Sequence, residues 1–244
     1  MVMRNLTVIV PVFNEETFLE QSLNRLINLN KEFSILIIDD CSFDNSPKIA
    51  KKFEEKYSNI RLITKNKNEG KGSVLKEAIK HTNTEFCVVH DSDLEYFPED
   101  IVSMYKKVNK DSFVLGSRFI GNLERKNIYK RTYYANKIMS YFFSLVFFKK
   151  VTDVATCYKM FPTNSLKNYD IRENGFSIEI EILAKLLKSN LNLIEEPIKY
   201  EGRSYEEGKK IKVNDGIFYL INTLKYRFNK RGINWTLDQV KIQY

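Results

Sequence analysis

Apolar runs of strand length alternate with longer stretches of helical spacing from the start of the chain. Leu6-Thr7-Val8-Ile9-Val10-Pro11 is a β-branched run that predicts a buried strand, and 15–29 has helical spacing. Ser34-Ile35-Leu36-Ile37-Ile38 predicts a second buried strand, followed by a helix over 46–57. A short strand over 60–64, a helix over 72–81 and a strand over 86–90 continue the rhythm. Pro98 then opens a further helix, a position that suits proline. Beyond about residue 110 the pattern loosens. Strands are expected at 113–116, 157–161 and 193–200, and helices at 133–148, 178–187 and 216–228, with a basic connector at 126–130. This βαβα order predicts an open, mostly parallel sheet with helices on both faces. No repeat or second-domain boundary interrupts it, so one domain over 1–244 is expected, with halves at 1–110 and 111–244.

Sheets of this kind bind ligands at the carboxyl ends of their strands. Three polar clusters fall there: Phe13-Asn14-Glu15, Asp39-Asp40-Cys41-Ser42 and Asp91-Ser92-Asp93. The third belongs to His90-Asp91-Ser92-Asp93-Leu94-Glu95, directly after the apolar Phe86-Cys87-Val88-Val89. Carboxylates at i and i+2 lie on one side of an extended chain and can meet one hard cation, which in turn can hold a diphosphate. A solvated acidic turn has the same local sequence. It is the co-location of the three clusters that favours a site. Gly70-Lys71-Gly72 opens a predicted helix, where Lys71 could face phosphate; a plain turn is the alternative.

Composition narrows the chemistry. The chain has 244 residues and a net charge of +8, which suits phosphorylated small molecules, an anionic membrane surface or nucleic acid. No RNA-recognition motif is visible, so nucleic acid is not expected. Only two His are present, which leaves little room for His-based catalysis or His-ligated metal. Cys41, Cys87 and Cys157 lack metal-like spacing and are expected as reduced thiols. No leader and no span-length apolar run is visible, so a cytoplasmic protein is expected. The aromatic helix over 133–148, with Lys149 and Lys150 at its end, is either an amphipathic core helix or one that lies on a membrane, at the inner face of the cell membrane.

Neither GxGxxG after the first strand nor GxxxxGK[ST] occurs, which argues against a dinucleotide-binding Rossmann enzyme and a P-loop ATPase. Instead, Val8-Ile9-Val10-Pro11-Val12-Phe13-Asn14-Glu15-Glu16 and Ile37-Ile38-Asp39-Asp40-Cys41-Ser42 occur in order. Asn68-Glu69-Gly70-Lys71-Gly72 and the acidic turn follow them. Together they resemble family 2 glycosyltransferases. Gly116-Ser117-Arg118-Phe119, the 152–159 stretch and Pro197-Ile198-Lys199-Tyr200 resemble the dolichyl-phosphate mannose synthase-like branch and its soluble bacterial relatives. The resemblance runs over roughly 6–226.

It implies a GT-A-type fold, that is, a mostly parallel twisted α/β sheet flanked by helices. It also implies transfer of a hexose from a nucleotide-diphosphate sugar, with inversion and a divalent metal, Mg²⁺ or Mn²⁺. Pro11, Phe13 and Glu15 would line the nucleotide pocket, and Asp39 or Asp40 would read the base or ribose. Asp91 and Asp93 would hold the metal, with Glu95 a further ligand. Glu179 and Glu181 lie where the family places functional acids, one of which would be the base for a hydroxyl acceptor. Arg118, Arg131 and Arg203, with Lys209, resemble ligands for a lipid phosphate, an acceptor that needs no strong base. A polyprenyl phosphate, or a lipid-linked or cell-surface glycan, is the acceptor implied. Ala155 and Ser177 depart from the residues usual at their positions in this family. Two rivals stand beside this reading. A nucleotidyltransferase should show a glycine-rich basic loop after the first strand, where this chain has Pro-Val-Phe-Asn-Glu. A non-catalytic basic module would have no need of Asp91 and Asp93.

Overall fold

A computed structural model describes residues 2–123, 125–127, 129–167, 169–175, 177–202 and 213–228, the last with its side chains from residue 218. Its main sheet has seven strands in the order β3-β2-β1-β4-β7-β5-β8. The strands are β1 (Leu6–Val12), β2 (Ser34–Asp39), β3 (Ile60–Thr64), β4 (Phe86–Val89), β5 (Ser112–Ser117), β7 (Lys159–Pro162) and β8 (Asn192–Pro197). All neighbours are parallel except β7, which runs antiparallel to both β4 and β5. The two-residue strands β6 (Arg125–Lys126) and β9 (Tyr200–Glu201) pair in a small second sheet.

Both faces of the sheet are covered, which is why its strands are continuously apolar. Val8 and Val10 of β1 pack towards α1 (Leu19–Ile27), α2 (Ser46–Lys56) and α4 (Glu99–Tyr105). Ile9 points to the opposite core. That core holds α3 (Lys71–His81), α5 (Lys130–Phe147), α6 (Asn164–Lys167), α7 (Ile178–Lys188) and α8 (Val213–Phe228). The register places Val12 opposite Asp39 and Asp39 opposite Thr64, so the carboxyl ends of β1, β2 and β3 finish level.

Most expected elements are present, and the differences have local causes. Helix α1 starts at Leu19, four residues later than its apolar spacing suggests. The amides of Glu15 and Glu16 donate to Ser46 Oγ and Asp44 Oδ2 instead, at 2.9 and 3.0 Å, which ties this turn to the loop before α2. The strand expected from Cys157 begins at Lys159. The strand expected over 193–200 is divided: β8 ends at Pro197, and Tyr200 pairs with β6. Of the basic connector, Lys126 enters β6, which begins one residue earlier at Arg125.

One close approach joins the two halves of the sequence. The amide of Gly72 donates to the carbonyl of Asn174 at 2.7 Å. A Cβ on Gly72 would sit 1.9 Å from the Glu173 carbonyl oxygen, and Gly70 holds a positive φ of 88° beside it. Glycine at 72 is therefore a packing requirement. Gly72→Ala should destabilise the protein by about 2–3 kcal/mol through overpacking against backbone. Urea denaturation of the variant should show a lower midpoint, and an unchanged midpoint would contradict the contact.

Candidate active site

A cavity of about 400 Å³ opens at the carboxyl ends of β1, β2 and β4 and runs beneath α5 and α8. Pro11, Phe13, Glu15, Asp40, Lys71, Asp91, Asp93, Glu95, Arg118 and Glu179 all line it. A second hollow of about 440 Å³ lies around Arg4, Asn30 and Ser58, away from all of these residues.

The first wall is built by loops that lock each other. Asn14 adopts a left-handed φ of 53°, and its amide donates to Ser42 Oγ at 2.9 Å. The Phe43 amide returns a bond to Asn14 Oδ1 at 3.1 Å. Asp40 is buried and fully engaged. Lys65 Nζ donates to its Oδ1 at 2.7 Å, and the Gly70 amide donates to its Oδ2 at 2.7 Å. The Glu69 amide lies 3.2 Å from both oxygens. Asp40 thus shapes the loop that carries Lys71 while one edge of it meets the cavity. Asp39 lies behind the wall, fully buried, with Oδ2 accepting from the Ser42 amide at 3.2 Å. Its Oδ1 is buried without a hydrogen-bond partner among the described residues.

The acidic turn follows β4. Lys71 Nζ stands 2.9 Å from both oxygens of Asp91 and 3.0 Å from Glu179 Oε1. Lys159, buried at the start of β7, donates to Glu179 Oε2 and to the Thr156 carbonyl. Burial alone would lower the affinity of Lys71 for its proton, but Asp91 and Glu179 outweigh it and hold the ammonium well above its usual pKa. Burial acts in the opposite sense on Asp91, yet Lys71 keeps that carboxylate below its usual range. Asp93 Oδ1 accepts the Glu95 amide at 3.2 Å, and Glu95 Oε2 accepts the Tyr200 hydroxyl at 2.6 Å. Among the described residues, no three His, Cys, Asp or Glu side chains converge as a preformed metal cage. Asp91 and Asp93 nevertheless fit a hard cation held by one or two carboxylates and completed by phosphate and water. His90 sits behind them between Ser22 Oγ and Tyr158 OH, and burial pushes its pKa down to about 4, so it is neutral.

On the far side, Arg118 is forked onto Asp153, with Nε and Nη2 donating at 2.7 and 2.8 Å. Its guanidinium carbon also lies 4.9 Å from the centre of the Tyr200 ring. Arg131 is exposed on α5 and does not line the cavity. Arg203 and Lys209 lie outside the described residues. Glu181 is turned away. It accepts the Arg172 and Glu173 amides at 2.8 and 2.7 Å and pairs with Lys185, which fastens the 172–173 turn onto α7. Lys159, Asp153 and Tyr200 were not singled out from the sequence. A lysine inside Cys157-Tyr158-Lys159-Met160-Phe161 was the available signal, since a lysine buried in an apolar strand must be paired.

The family model for glycosyl transferase family 2 matches residues 7–170. The chain belongs to glycosyl transferase family 2. It is 29% identical over 239 residues to a UDP-N-acetylglucosamine–dolichyl-phosphate N-acetylglucosaminyltransferase of Methanococcus voltae, covering 89% of this chain and 95% of that one. It is 26% identical over 210 residues to the human dolichyl-phosphate β-glucosyltransferase, covering 76% of this chain and 64% of the human one. The chain thus spans slightly less than two thirds of the human relative. Among solved structures it is similar to glucosyl-3-phosphoglycerate synthase of Mycobacterium tuberculosis, solved with Mn²⁺, UDP and glucosyl-3-phosphoglycerate. The TM-score is 0.68 at 15% identity, over 92% of this chain and 80% of that one. That likeness shows the GT-A fold. A family 2 glycosyltransferase is an enzyme that transfers sugar from an activated donor, which sets aside the nucleotidyltransferase and binding-module readings.

Asp40→Asn should leave Lys65 with only the more exposed Glu69, 3.1 Å away, as carboxylate partner and cost about 1–2 kcal/mol. The denaturation midpoint should fall, and adding Lys65→Met should recover part of the loss. No recovery in the double variant would contradict the pairing.

Proposed function

We propose that this glycosyltransferase moves a hexose from a nucleoside-diphosphate sugar to a polyprenyl-type lipid phosphate, with inversion and with a divalent cation, Mg²⁺ or Mn²⁺. The observation that carries the proposal is the single cavity that joins the acidic turn to the underside of two amphipathic helices. Both named relatives act on dolichyl phosphate by their names, which supports a lipid-phosphate acceptor. The Methanococcus relative uses a UDP-sugar by its name, and the Mycobacterium structure holds Mn²⁺ with UDP.

Pro11, Phe13 and Glu15 would flank the nucleoside, and Lys71 would meet the diphosphate. Asp91 and Asp93 would hold the cation, which when bound neutralises the charge that builds on the leaving diphosphate. An acceptor phosphate oxygen forms the new bond to the anomeric carbon. The bond from that carbon to the diphosphate oxygen breaks, and its electron pair leaves with the nucleoside diphosphate. No proton has to be removed. This agrees with Glu179, whose two oxygens already face Lys71 and Lys159. A hydroxyl acceptor would instead require one of these ammonium groups to release Glu179 so that it could act as base.

Helix α5 supports a membrane-borne acceptor. Thr132, Asn136 and Met139 face the cavity, and Phe143 and Phe147 enter the core. Tyr134, Ile138, Tyr141, Leu145 and Phe148 form a third, exposed stripe, with Ile138 at 63% and Tyr141 at 68% exposure. Phe218, Ile221, Leu224 and Phe228 of the adjoining α8 are exposed as well. Lys130, Arg131, Lys137, Lys149 and Lys150 lie exposed along and beyond the α5 stripe. No helix among the described residues is long and apolar enough to cross a membrane. An apolar stripe flanked by lysine and arginine suits the surface of an anionic bilayer, and we place the protein there, peripherally, on the cytoplasmic side.

Asp93→Asn should lower transfer at least about a hundredfold, the scale of losing one dominant electrostatic contact in the transition state. Circular dichroism should remain unchanged. Full activity of the variant, or of the parent protein in excess chelator, would defeat the metal role. The membrane reading is checked by co-sedimentation with vesicles containing phosphatidylserine. Binding should be present at low salt, weaker at high salt and largely lost in the Ile138→Glu/Leu145→Glu double variant. Absence of low-salt binding, together with efficient transfer to a water-soluble sugar, would overturn it.

A further inference from the structure

The Lys71–Asp91–Glu179–Lys159 chain is a closed set of charges, two ammonium groups on two carboxylates, packed between α3, β4, β7 and α7. Its two positive charges match its two negative ones. Lys71 reaches both oxygens of Asp91 at 2.9 Å, so it covers the very atoms that a divalent cation would need. The backbone on either side of Lys71 is fixed, so its ammonium moves by its side chain alone. The Gly72 amide is tied to the Asn174 carbonyl, and Gly70 is held by Asp40. Lys71 side-chain exposure is 14%, and that of Glu179 is 5%.

From this we infer that Lys71 acts as a built-in competitor for the metal. It occupies Asp91 in the empty enzyme and releases it only when a diphosphate arrives to accept the ammonium. The inference rests on Asp91 being a metal ligand, as proposed above. The physical reason is charge. A divalent cation at Asp91 places two positive charges beside an ammonium that is itself bound to the same carboxylate, in a poorly solvated cleft where repulsion is weakly screened. A diphosphate supplies the missing negative charge and gives Lys71 a new acceptor. Cation and nucleotide then bind as one unit. When the nucleoside diphosphate departs, Lys71 closes again on Asp91 and favours loss of the cation with it. By linkage, each ligand strengthens the other by the same factor.

The test is Mn²⁺ binding, read from the free-ion signal in electron paramagnetic resonance without any turnover. The unmodified protein, Lys71→Met, Lys71→Gln and Asp91→Asn are titrated alone and with saturating UDP or GDP. The unmodified protein should bind Mn²⁺ weakly alone and much more tightly with one of the diphosphates. Lys71→Met and Lys71→Gln should bind Mn²⁺ alone roughly tenfold or more tighter than the parent, as expected when a partly buried like charge is removed. They should also show a smaller further gain from nucleotide, and Asp91→Asn should lose the tight site. A residue that only props up the fold would not improve metal binding when it is removed. If the parent binds Mn²⁺ with diphosphate but neither Lys71 variant binds it more tightly alone, the competitor role is wrong while the metal reading survives. If the parent shows no Mn²⁺ binding with either diphosphate, both fall. Should the variants not fold, crystals of the parent with Mn²⁺ and the diphosphate decide. Lys71 Nζ is expected to have left Asp91 for phosphate, and an ammonium still on both Asp91 oxygens would overturn the inference.

Discussion

The double ion pair of Lys71 is the contact on which the site depends. Its ammonium lies between Asp91, at the end of β4, and Glu179, in the first turn of α7. A buried charge is tolerated only when it is matched, and here each member needs the others. Removing the lysine would leave Asp91 without its ammonium partner and Glu179 with Lys159 alone, and removing either carboxylate would unbalance the rest. The arrangement links the start of α3 to the end of β4 and the first turn of α7. It also concentrates charge where a phosphorylated donor has to be received.

Around that centre, carboxylates do structural work as often as chemical work. Asp40 gathers the Glu69 and Gly70 amides, Glu181 gathers those of Arg172 and Glu173, and Asp44 and Glu16 tie the α1 and α2 loops together. Each satisfies backbone donors that a loop at the end of a strand cannot pair within a ladder. Asp153 does the same for the Arg118 amide while forking its guanidinium. The cost of holding irregular loops still is met by charge-assisted bonds, and the cavity walls are these loops.

Much of this was legible in the sequence because apolar runs and helical spacing report burial directly. The order of strands and helices followed from that alone, as did the gathering of Phe13, Glu15, Asp40, Asp91 and Asp93 at one edge, while Pro11 was implied by the family resemblance. What periodicity could not show is partner choice. Arg118 reads as an anion ligand until Asp153, thirty-five residues later, is seen on its guanidinium. Glu179 and Glu181 look alike two residues apart on a helix. They differ because one faces Lys71 and Lys159 at the cavity and the other faces backbone amides of the 172–173 turn. The aromatic helix reads as core or as membrane surface; Phe143 and Phe147 belong to the core, and the exposed face with Ile138 and Leu145 is the one on which the membrane proposal rests. The direction of β7 was hidden too, since an antiparallel strand within a parallel sheet carries the same apolar signature.

The most direct measurement is transfer from a panel of radiolabelled UDP- and GDP-hexoses to a polyprenyl phosphate in vesicles, with Mn²⁺ or Mg²⁺ and with chelator. The account predicts that one donor gives label extractable into organic solvent, with equimolar nucleoside diphosphate, an inverted anomeric configuration and no product in chelator. Label confined to a water-soluble acceptor, or product formation that ignores the chelator, would contradict it.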